Sequence, residues 1–189
     1  MRLFIALPLP DDLRERLAAL QRGLKAARWV KPKNLHLTLR FLGELDGRQA
    51  GDVDAALAAL GGEAFSLSLA GLDCFGEGRN LRALWVGVED PEPVRRLQAK
   101  AERAVQQAGI APDGRKFKPH VTLARFKRAH SPDLSGYLQS NNLFRSEPFA
   151  VTEFVLFSSF LTREGPIYRP EASYPLRWAQ PRDAVSLGE

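Results

Sequence analysis

The chain has few of the residues that would cross-link it or anchor it in a membrane. Its 189 residues include one cysteine, Cys74, so no disulfide can form within the chain. A single cysteine is typical of proteins from reducing compartments, and we expect a cytoplasmic location. No apolar run approaches the roughly 18 residues of a membrane-spanning helix, so we expect no membrane partner.

The chain also lacks the usual sequence signals for metals and nucleotide cofactors. Gly76-Glu77-Gly78 comes nearest to a glycine-rich phosphate loop, but it lacks the later glycine or lysine that such loops need. Aspartate, glutamate and histidine do not cluster at the spacings of a catalytic zinc or a two-metal site. We therefore expect neither a metal nor a cofactor.

The charge is unbalanced toward basic residues. Lysines and arginines number 27 against 22 aspartates and glutamates, which gives a net charge of +5. This surplus favours a polyanionic partner such as nucleic acid, although many proteins of similar charge bind none. Nothing in the sequence indicates a coiled coil or an obligate dimer, so we expect a monomer.

Hydrophobic periodicity predicts a mixture of strands and helices. Residues 65–69 alternate between apolar side chains and serine, which is typical of a strand with one buried face. Residues 93–108 repeat apolar side chains at helical spacing, 149–160 form a long apolar strand, and the glycine-rich segment 71–80 is a loop. Because several strands show clean alternation, we expect an α+β fold with mostly antiparallel sheets.

Two of the three histidines lie in nearly the same phrase. His36-Leu37-Thr38-Leu39 and His120-Val121-Thr122-Leu123 each have Lys-Pro upstream and Arg-Phe downstream. Threonine is scarce, with four in the whole chain, so two histidines each followed two places later by threonine are informative. The 84 positions between the phrases fit an ancient duplication that placed one copy in each half.

The spacing within each phrase assigns its side chains to faces. Successive side chains of a strand point to opposite sides, so His36 and Thr38 share one face while the leucines around them share the other. His120 and Thr122 repeat this pattern. We expect the apolar faces to pack against helices and, if an approximate two-fold axis relates the halves, the polar faces to meet across a groove.

A pair of facing imidazoles suits phosphodiester chemistry. Histidine titrates near pH 6.5, so at neutral pH one ring can be neutral and the other protonated without large environmental shifts. The neutral ring removes a proton from water and the charged ring donates one to the departing oxygen, each worth roughly 10²–10⁴ in rate. The hydroxyls of Thr38 and Thr122 can donate hydrogen bonds to the non-bridging phosphate oxygens.

With these motifs the sequence resembles the 2H phosphoesterase superfamily, whose signature is a pair of His-x-Thr-x motifs. The segments RLFIALPLP, RWVKPKNLHLTLRFLG, LRALWVGV and KFKPHVTLARF are similar to the RNA 2′,3′-cyclic phosphodiesterase branch, historically called the 2′-5′ RNA ligase family. The resemblance implies a bilobal, pseudo-two-fold α+β fold in which two mostly antiparallel sheets line a central cleft, with helices outside. We therefore expect residues 1–180 to form a single bilobal domain and residues 181–189 to be a disordered tail.

The resemblance also implies an activity and a role for each motif residue. The implied reaction is metal-independent hydrolysis of a 2′,3′-cyclic phosphate, at an RNA end or on a nucleotide, to a 2′-phosphomonoester. His36 is then the proton donor to the leaving 3′ oxygen, and His120 is the proton acceptor that activates the water. Thr38 and Thr122 bind the phosphate.

Two further substrate-binding residues conflict with strict strand alternation. Arg125 matches an arginine that contacts the phosphate in relatives, and Phe41 is a candidate stacking surface for a terminal base, worth roughly 1–3 kcal/mol. Alternation points Arg125 away from His120 and Phe41 away from His36, so each strand must bend, bulge or end before them. Arg82 is a further candidate for the wall of the cleft.

Several alternatives stay open on the sequence alone. A relative that cuts or joins 2′-5′ linkages without ATP, or one that opens another cyclic phosphate, would use the same residues. A non-catalytic RNA-end binder would retain the groove. In a purely structural interpretation both motif histidines bond to their neighbours and Phe41 belongs to the core. His130 is predicted to be a surface loop residue.

Overall fold

Ten strands and four α-helices form within the residues that the computed structural model describes, which are 1–127, 134–163 and 165–179. The strands are β1 (Arg2–Pro8), β2 (Arg28–Trp29), β3 (His36–Glu44), β4 (Phe65–Leu67), β5 (Leu69–Phe75), β6 (Ala83–Val88), β7 (Val121–Arg125), β8 (Phe149–Val151), β9 (Glu153–Thr162) and β10 (Gly165–Pro175). The helices are α1 (Asp11–Leu20), α2 (Gly47–Ala58), α3 (Glu92–Gln107) and α4 (Ser135–Asn141). His130 and the predicted tail at 181–189 lie outside the described residues. None of the helices in the described ranges is both long enough and apolar enough to span a membrane.

Eight of the strands form one sheet, in the order β10-β9-β1-β3-β7-β6-β5, with β2 also paired to β7. Strands β4 and β8 form a separate two-stranded sheet. Neighbouring strands in both sheets run antiparallel. The predicted α+β class with antiparallel sheets is therefore confirmed.

The two halves of the large sheet meet through a single residue pair. Strands β1, β3, β9 and β10 form one half, and β2, β5, β6 and β7 form the other. Between β3 and β7 the paired residues are Leu37 and Val121, each of which directly follows its motif histidine. A local two-fold axis passes through opposed residues of an antiparallel pair, so this pair relates His36 to His120. The two predicted sheets are thus two halves of one continuous sheet.

Each motif strand carries a β-bulge three residues after its histidine. The pairing of β3 with β1 skips Leu39, and the pairing of β7 with β6 skips Leu123. A bulge inserts one extra residue, so the alternation of faces is reset beyond it. The bulges therefore return Phe41 and Arg125 to the face of the motif histidines, which resolves the conflict with strict alternation.

Three predicted elements differ from those observed. The strand predicted over residues 65–69 is divided at Ser68 into β4 and β5, which belong to different sheets. The segment 71–80 is not all loop, because β5 continues to Phe75 through a bulge at Gly71, whose φ of 71° suits glycine. The apolar run 149–160 is divided into β8 and β9, which belong to different sheets. Apolar character indicates that a strand is buried but does not reveal the sheet in which it pairs.

The apolar face of the motif strands is anchored in the core. Leu37, Leu39, Val121 and Leu123 are each at most 3% exposed. Helix α3 contributes its buried stripe to the same core, namely Val94, Leu97, Ala101, Ala104 and Val105. Because one face of each motif strand is fixed in this way, the opposite face presents its polar side chains to the groove.

A buried arginine ties the first motif strand to the segment before the second. Arg40 is 7% exposed, and its Nε donates to the Glu102 carboxylate on α3 at 2.5 Å. Its Nη2 donates to the Ala111 carbonyl at 2.5 Å, and its Nη1 lies 3.5 Å from the Asp113 carboxylate. Asp113 begins the basic loop 113–118 that leads to the second motif. Arg40 therefore holds β3, α3 and this loop together.

Replacing this arginine tests how much the fold depends on it. Arg40→Leu should lower the free energy of unfolding by about 3 kcal/mol, because the largely buried Glu102 loses its charge partner. Urea denaturation followed by circular dichroism measures the change. Arg48→Leu is the control: this arginine is 91% exposed, and its loss should change the free energy by less than about 0.5 kcal/mol. Equal losses in the two variants would contradict the anchoring role of Arg40.

Candidate active site

The two motifs line a common cleft of about 730 Å³. His36, Thr38, His120 and Thr122 all contribute to its wall, together with Arg125. The four motif side chains are half-buried, as expected for groups that lie at the bottom of an open groove. The polar faces of the two strands therefore meet in one crevice, as the repeated spacing predicts.

His36 lies in an aromatic wall formed by the first half. Its ring centroid is 5.0 Å from that of Phe4 and 5.3 Å from that of Tyr168, which meets it edge to face. Phe41 packs against Phe4 at 5.9 Å. This wall restricts the orientation of the imidazole and removes water from one side of it.

His120 lies in a smaller aromatic pocket of the second half. Its ring is 4.8 Å from that of Phe75, in edge-to-face contact, and 5.7 Å from that of Trp85. The Lys118 ammonium lies 4.3 Å from the centre of the Trp85 ring. The second wall therefore carries more positive charge beside its histidine than the first.

Both imidazoles are held in the same tautomer by the backbone. Nδ1 of His36 lies 2.7 Å from the Asn34 carbonyl oxygen, and Nδ1 of His120 lies 2.6 Å from that of Lys118. A carbonyl oxygen can only accept, so each Nδ1 carries a proton and donates it. The neutral rings consequently carry an unprotonated Nε2, the form required of a general base. When protonated, each Nε2 can act as an acid.

The surroundings lower the pKa of both histidines. Burial is the main cause that lowers the pKa of His36 to about 4; the bond to Asn34 opposes it, and the charges of Arg125 and His120 add to it. Burial also lowers the pKa of His120, with smaller contributions in the same direction from Arg125 and Lys118. Both rings are therefore neutral at pH 7 in the protein alone. The expectation that one ring can be neutral and the other protonated without large environmental shifts does not hold for His36, whose pKa lies far below its ordinary value.

The two motif threonines are placed differently with respect to their histidines. The hydroxyl of Thr38 lies 2.9 Å from Nε2 of His36 and donates to it when the ring is neutral. This bond must be exchanged for one to a ligand if Thr38 is to contact a phosphate. Thr122 lines the cleft on the opposite side of the local two-fold axis.

The structure also brings Arg125, Phe41 and Arg82 to the wall of the cleft. Arg125 is exposed to the cleft, and its charge is felt by both histidines. Phe41 is 47% exposed, so it belongs to the surface and not to the core. The purely structural interpretation of Phe41 is therefore wrong, while its role in stacking stays a prediction.

Several residues of the cleft were not singled out from the sequence, among them Tyr168 and Arg28. Tyr168 lies in β10, and Arg28 belongs to the two-residue β2, which is too short to give a periodic signal. Both line the cleft. Proximity of Arg28 to the first motif, eight positions upstream of His36, was the available signal.

No group of three or more histidine, cysteine, aspartate or glutamate side chains in the described residues is arranged to hold a metal ion. The described lining residues include one carboxylate, Asp113. It is already engaged, because it accepts two hydrogen bonds from the Arg115 guanidinium and lies beside Arg40. The remaining charged groups at the cleft are cationic or titratable histidines, so the cleft is suited to an anion.

Comparison with known proteins places the chain in a family. The profile of the LigT-like phosphoesterases matches it twice, over residues 7–85 and 86–168, with one His-x-Thr motif in each match. The duplicated match agrees with the local two-fold axis between β3 and β7. The chain is an enzyme of the phosphoesterase class. It belongs to the LigT-like phosphoesterase family.

Individual relatives agree over nearly the whole chain. An Archaeoglobus fulgidus protein named RNA 2′,3′-cyclic phosphodiesterase is 31% identical over 175 residues, covering 89% of this chain and 97% of its own length. The crystal structure of Thermus thermophilus TT0787 has a TM-score of 0.79 at 29% identity, covering 95% of this chain and all of that one. Escherichia coli LigT in complex with 3′-AMP has a TM-score of 0.74 at 28% identity, covering 93% and 97%.

The lowered pKa values can be tested by NMR titration of the histidine ring protons. His36 should stay neutral until the pH approaches about 4, and His120 should titrate below its ordinary value. Unfolded histidines keep their ordinary pKa and bind protons first, so this part of the stability is present above about pH 6.5 and is lost as the pH falls toward 4. Inorganic phosphate should raise the pKa of both rings.

The variant Arg125→Gln separates the effect of burial on the two histidine pKa values from the effect of a neighbouring positive charge. It removes a positive charge near both rings, so it should raise both pKa values in the absence of phosphate. Histidine pKa values that do not move with phosphate or with this variant would show that the rings do not share an anion site.

Proposed function

We propose that the chain hydrolyses the 2′,3′-cyclic phosphate of an RNA end or a nucleotide to a 2′-phosphomonoester, by general acid and base catalysis without a metal. The observation that carries the proposal is the pair of imidazoles in one cationic cleft, each held through its Nδ1 by a backbone carbonyl so that its Nε2 is available for proton transfer. The protein would act in the cytoplasm, as a monomer, in the processing of RNA ends.

In the proposed reaction the histidine on one wall of the cleft accepts a proton and the histidine on the other wall donates one. Nε2 of His120 removes a proton from water, and the water oxygen forms a bond to phosphorus. The bond between phosphorus and the 3′ oxygen breaks, and Nε2 of protonated His36 donates its proton to that oxygen. The product keeps the phosphate on the 2′ oxygen. Exchange of one proton with solvent restores both rings.

The anionic substrate supplies the negative charge that favours protonation of the histidines. A phosphodiester between the rings favours their protonated form and so raises the lowered pKa of His36. Arg125 would hold a non-bridging oxygen, and the hydroxyls of Thr38 and Thr122 would donate to the oxygens on which charge accumulates. Phe41 would stack on the terminal base. Binding of the substrate therefore also favours the protonated form of His36, which is the form that acts as the acid.

The relatives support this choice of substrate. The Archaeoglobus fulgidus relative and others from archaea and bacteria are named RNA 2′,3′-cyclic phosphodiesterase. The Escherichia coli structure holds 3′-AMP, and the same protein has been solved with NADP⁺ and with ATP. Escherichia coli LigT therefore binds nucleotides that carry phosphate groups.

Turnover of adenosine 2′,3′-cyclic phosphate tests the mechanism. His36→Ala and His120→Ala should each lower kcat/KM by at least about 10²–10⁴, and excess EDTA should leave the wild-type rate unchanged. Because both pKa values are lowered in the free protein, kcat/KM should be bell-shaped with its optimum below pH 6.5. The optimum of kcat should lie at higher pH, because bound substrate raises the pKa values. Loss of activity with EDTA, or a kcat/KM optimum above pH 7.5, would contradict the proposal.

The identity of the product tests the assignment of acid and base. Protonation of the 3′ oxygen by His36 leaves the phosphate on the 2′ oxygen, so the product should be 2′-AMP, which chromatography separates from 3′-AMP. Formation of 3′-AMP would exchange the roles of the two walls. Joining of RNA ends through a 2′-5′ linkage, assayed with the same cyclic phosphate donor, would favour the ligase alternative.

A further inference from the structure

A second arginine stands directly beside Arg125 in the sheet. Arg28 on β2 and Arg125 on β7 are opposed residues of an antiparallel pair, so both side chains leave the same face of the sheet. Both line the cleft, and both are exposed. The paired positions are separated by about 5 Å at Cβ. Two guanidinium groups therefore enter the cleft side by side.

This arrangement is unfavourable for the protein alone. Like charges directly opposite one another in a sheet destabilise it. Within the described residues neither Arg28 nor Arg125 forms an ion pair with a carboxylate, and Asp113, the carboxylate found among the described lining residues, is held by Arg115 and Arg40. Stability that is given up at a cleft in this way is typical of a binding site. The missing counter-charge is one that a ligand can supply.

We propose that Arg28 forms a second phosphate subsite, which binds the phosphate on the 5′ side of the nucleotide whose cyclic phosphate reacts. The inference rests on the proposed function for one point, namely that Arg125 contacts the reacting phosphate. The next phosphate of a nucleic acid is joined to the reacting one through a single ribose. Arg28, one strand spacing from Arg125, is placed to meet it. The preferred substrate is then a polynucleotide end or a 5′-phosphorylated nucleotide.

Two substrates that differ in one phosphate test the subsite. Wild-type kcat/KM should be about tenfold higher for 5′-phosphoadenosine 2′,3′-cyclic phosphate than for adenosine 2′,3′-cyclic phosphate, as expected for one charge-assisted contact. Arg28→Gln should bring this ratio to about one. The preference should also weaken with added salt in the wild type, because salt screens the attraction between the Arg28 guanidinium and the 5′ phosphate.

Matched measurements separate the subsite from a general charge effect. Arg96→Gln removes the same charge from an exposed position of α3 outside the cleft and should keep the tenfold ratio. Arg28→Gln should also melt at the same or a higher temperature than the wild type, because the repulsion with Arg125 is relieved. A wild-type ratio near one, or a ratio that survives in Arg28→Gln, would overturn the subsite.

Equilibrium binding distinguishes failure of the subsite from failure of the proposed reaction. By calorimetry, adenosine 3′,5′-bisphosphate should bind about tenfold more tightly than 3′-AMP to the wild type and equally tightly to Arg28→Gln. This comparison needs no turnover. If neither cyclic substrate is hydrolysed but the binding difference is present, the subsite stands and the proposed reaction is wrong. If both are hydrolysed equally and the two ligands bind equally, the reaction stands and the subsite is wrong.

Discussion

The site depends on the antiparallel pairing of Leu37 with Val121. These two residues join the halves of the large sheet, and each follows a motif histidine directly. A register shift of one residue would move every motif side chain to the other face of its strand. The buried leucines of both motifs oppose such a shift, because they would have to leave the core. The same packing that stabilises the fold therefore fixes the two imidazoles in one cleft.

The electrostatics of this cleft follow from the burial of two histidines close to the positive charge of Arg125. Burial lowers the pKa of both histidines, and Arg125 adds its charge to the same effect. The imidazoles are neutral, and within the described residues Arg28 and Arg125 form no ion pair with a carboxylate, so the cleft favours the binding of an anion. An anion that enters satisfies the arginines and favours protonation of a ring at the same time. Selectivity for anions and readiness for proton transfer thus have a common cause.

The sequence was sufficient for some features and insufficient for others. Alternation around His36 and His120 predicted which faces are polar, and their repetition predicted that the faces meet. If Phe41 and Arg125 were to face the cleft, their strands had to bend, bulge or end before them. The bulges at Leu39 and Leu123 meet this requirement, but no residue preference in the sequence indicates where they form. Strand pairing decides where a bulge forms, and pairing is a non-local property. For the same reason the two-residue β2 was invisible. The roles of the site residues in catalysis stay predictions.

The two halves repeat the same motif and bulge, but the residues just beyond each bulge differ between the halves. Four positions after the motif histidine, the first half has the buried Arg40 and the second half has Ala124. Five positions after the histidine, the first half has Phe41 and the second half has Arg125. Equivalent backbone positions therefore offer an aromatic surface on one wall and a cation on the other. A symmetric cleft would bind a cyclic phosphate in two orientations and could not assign one acid and one base. The different residues at these two positions favour a single orientation, so the division of labour between two similar histidines follows from the residues around them.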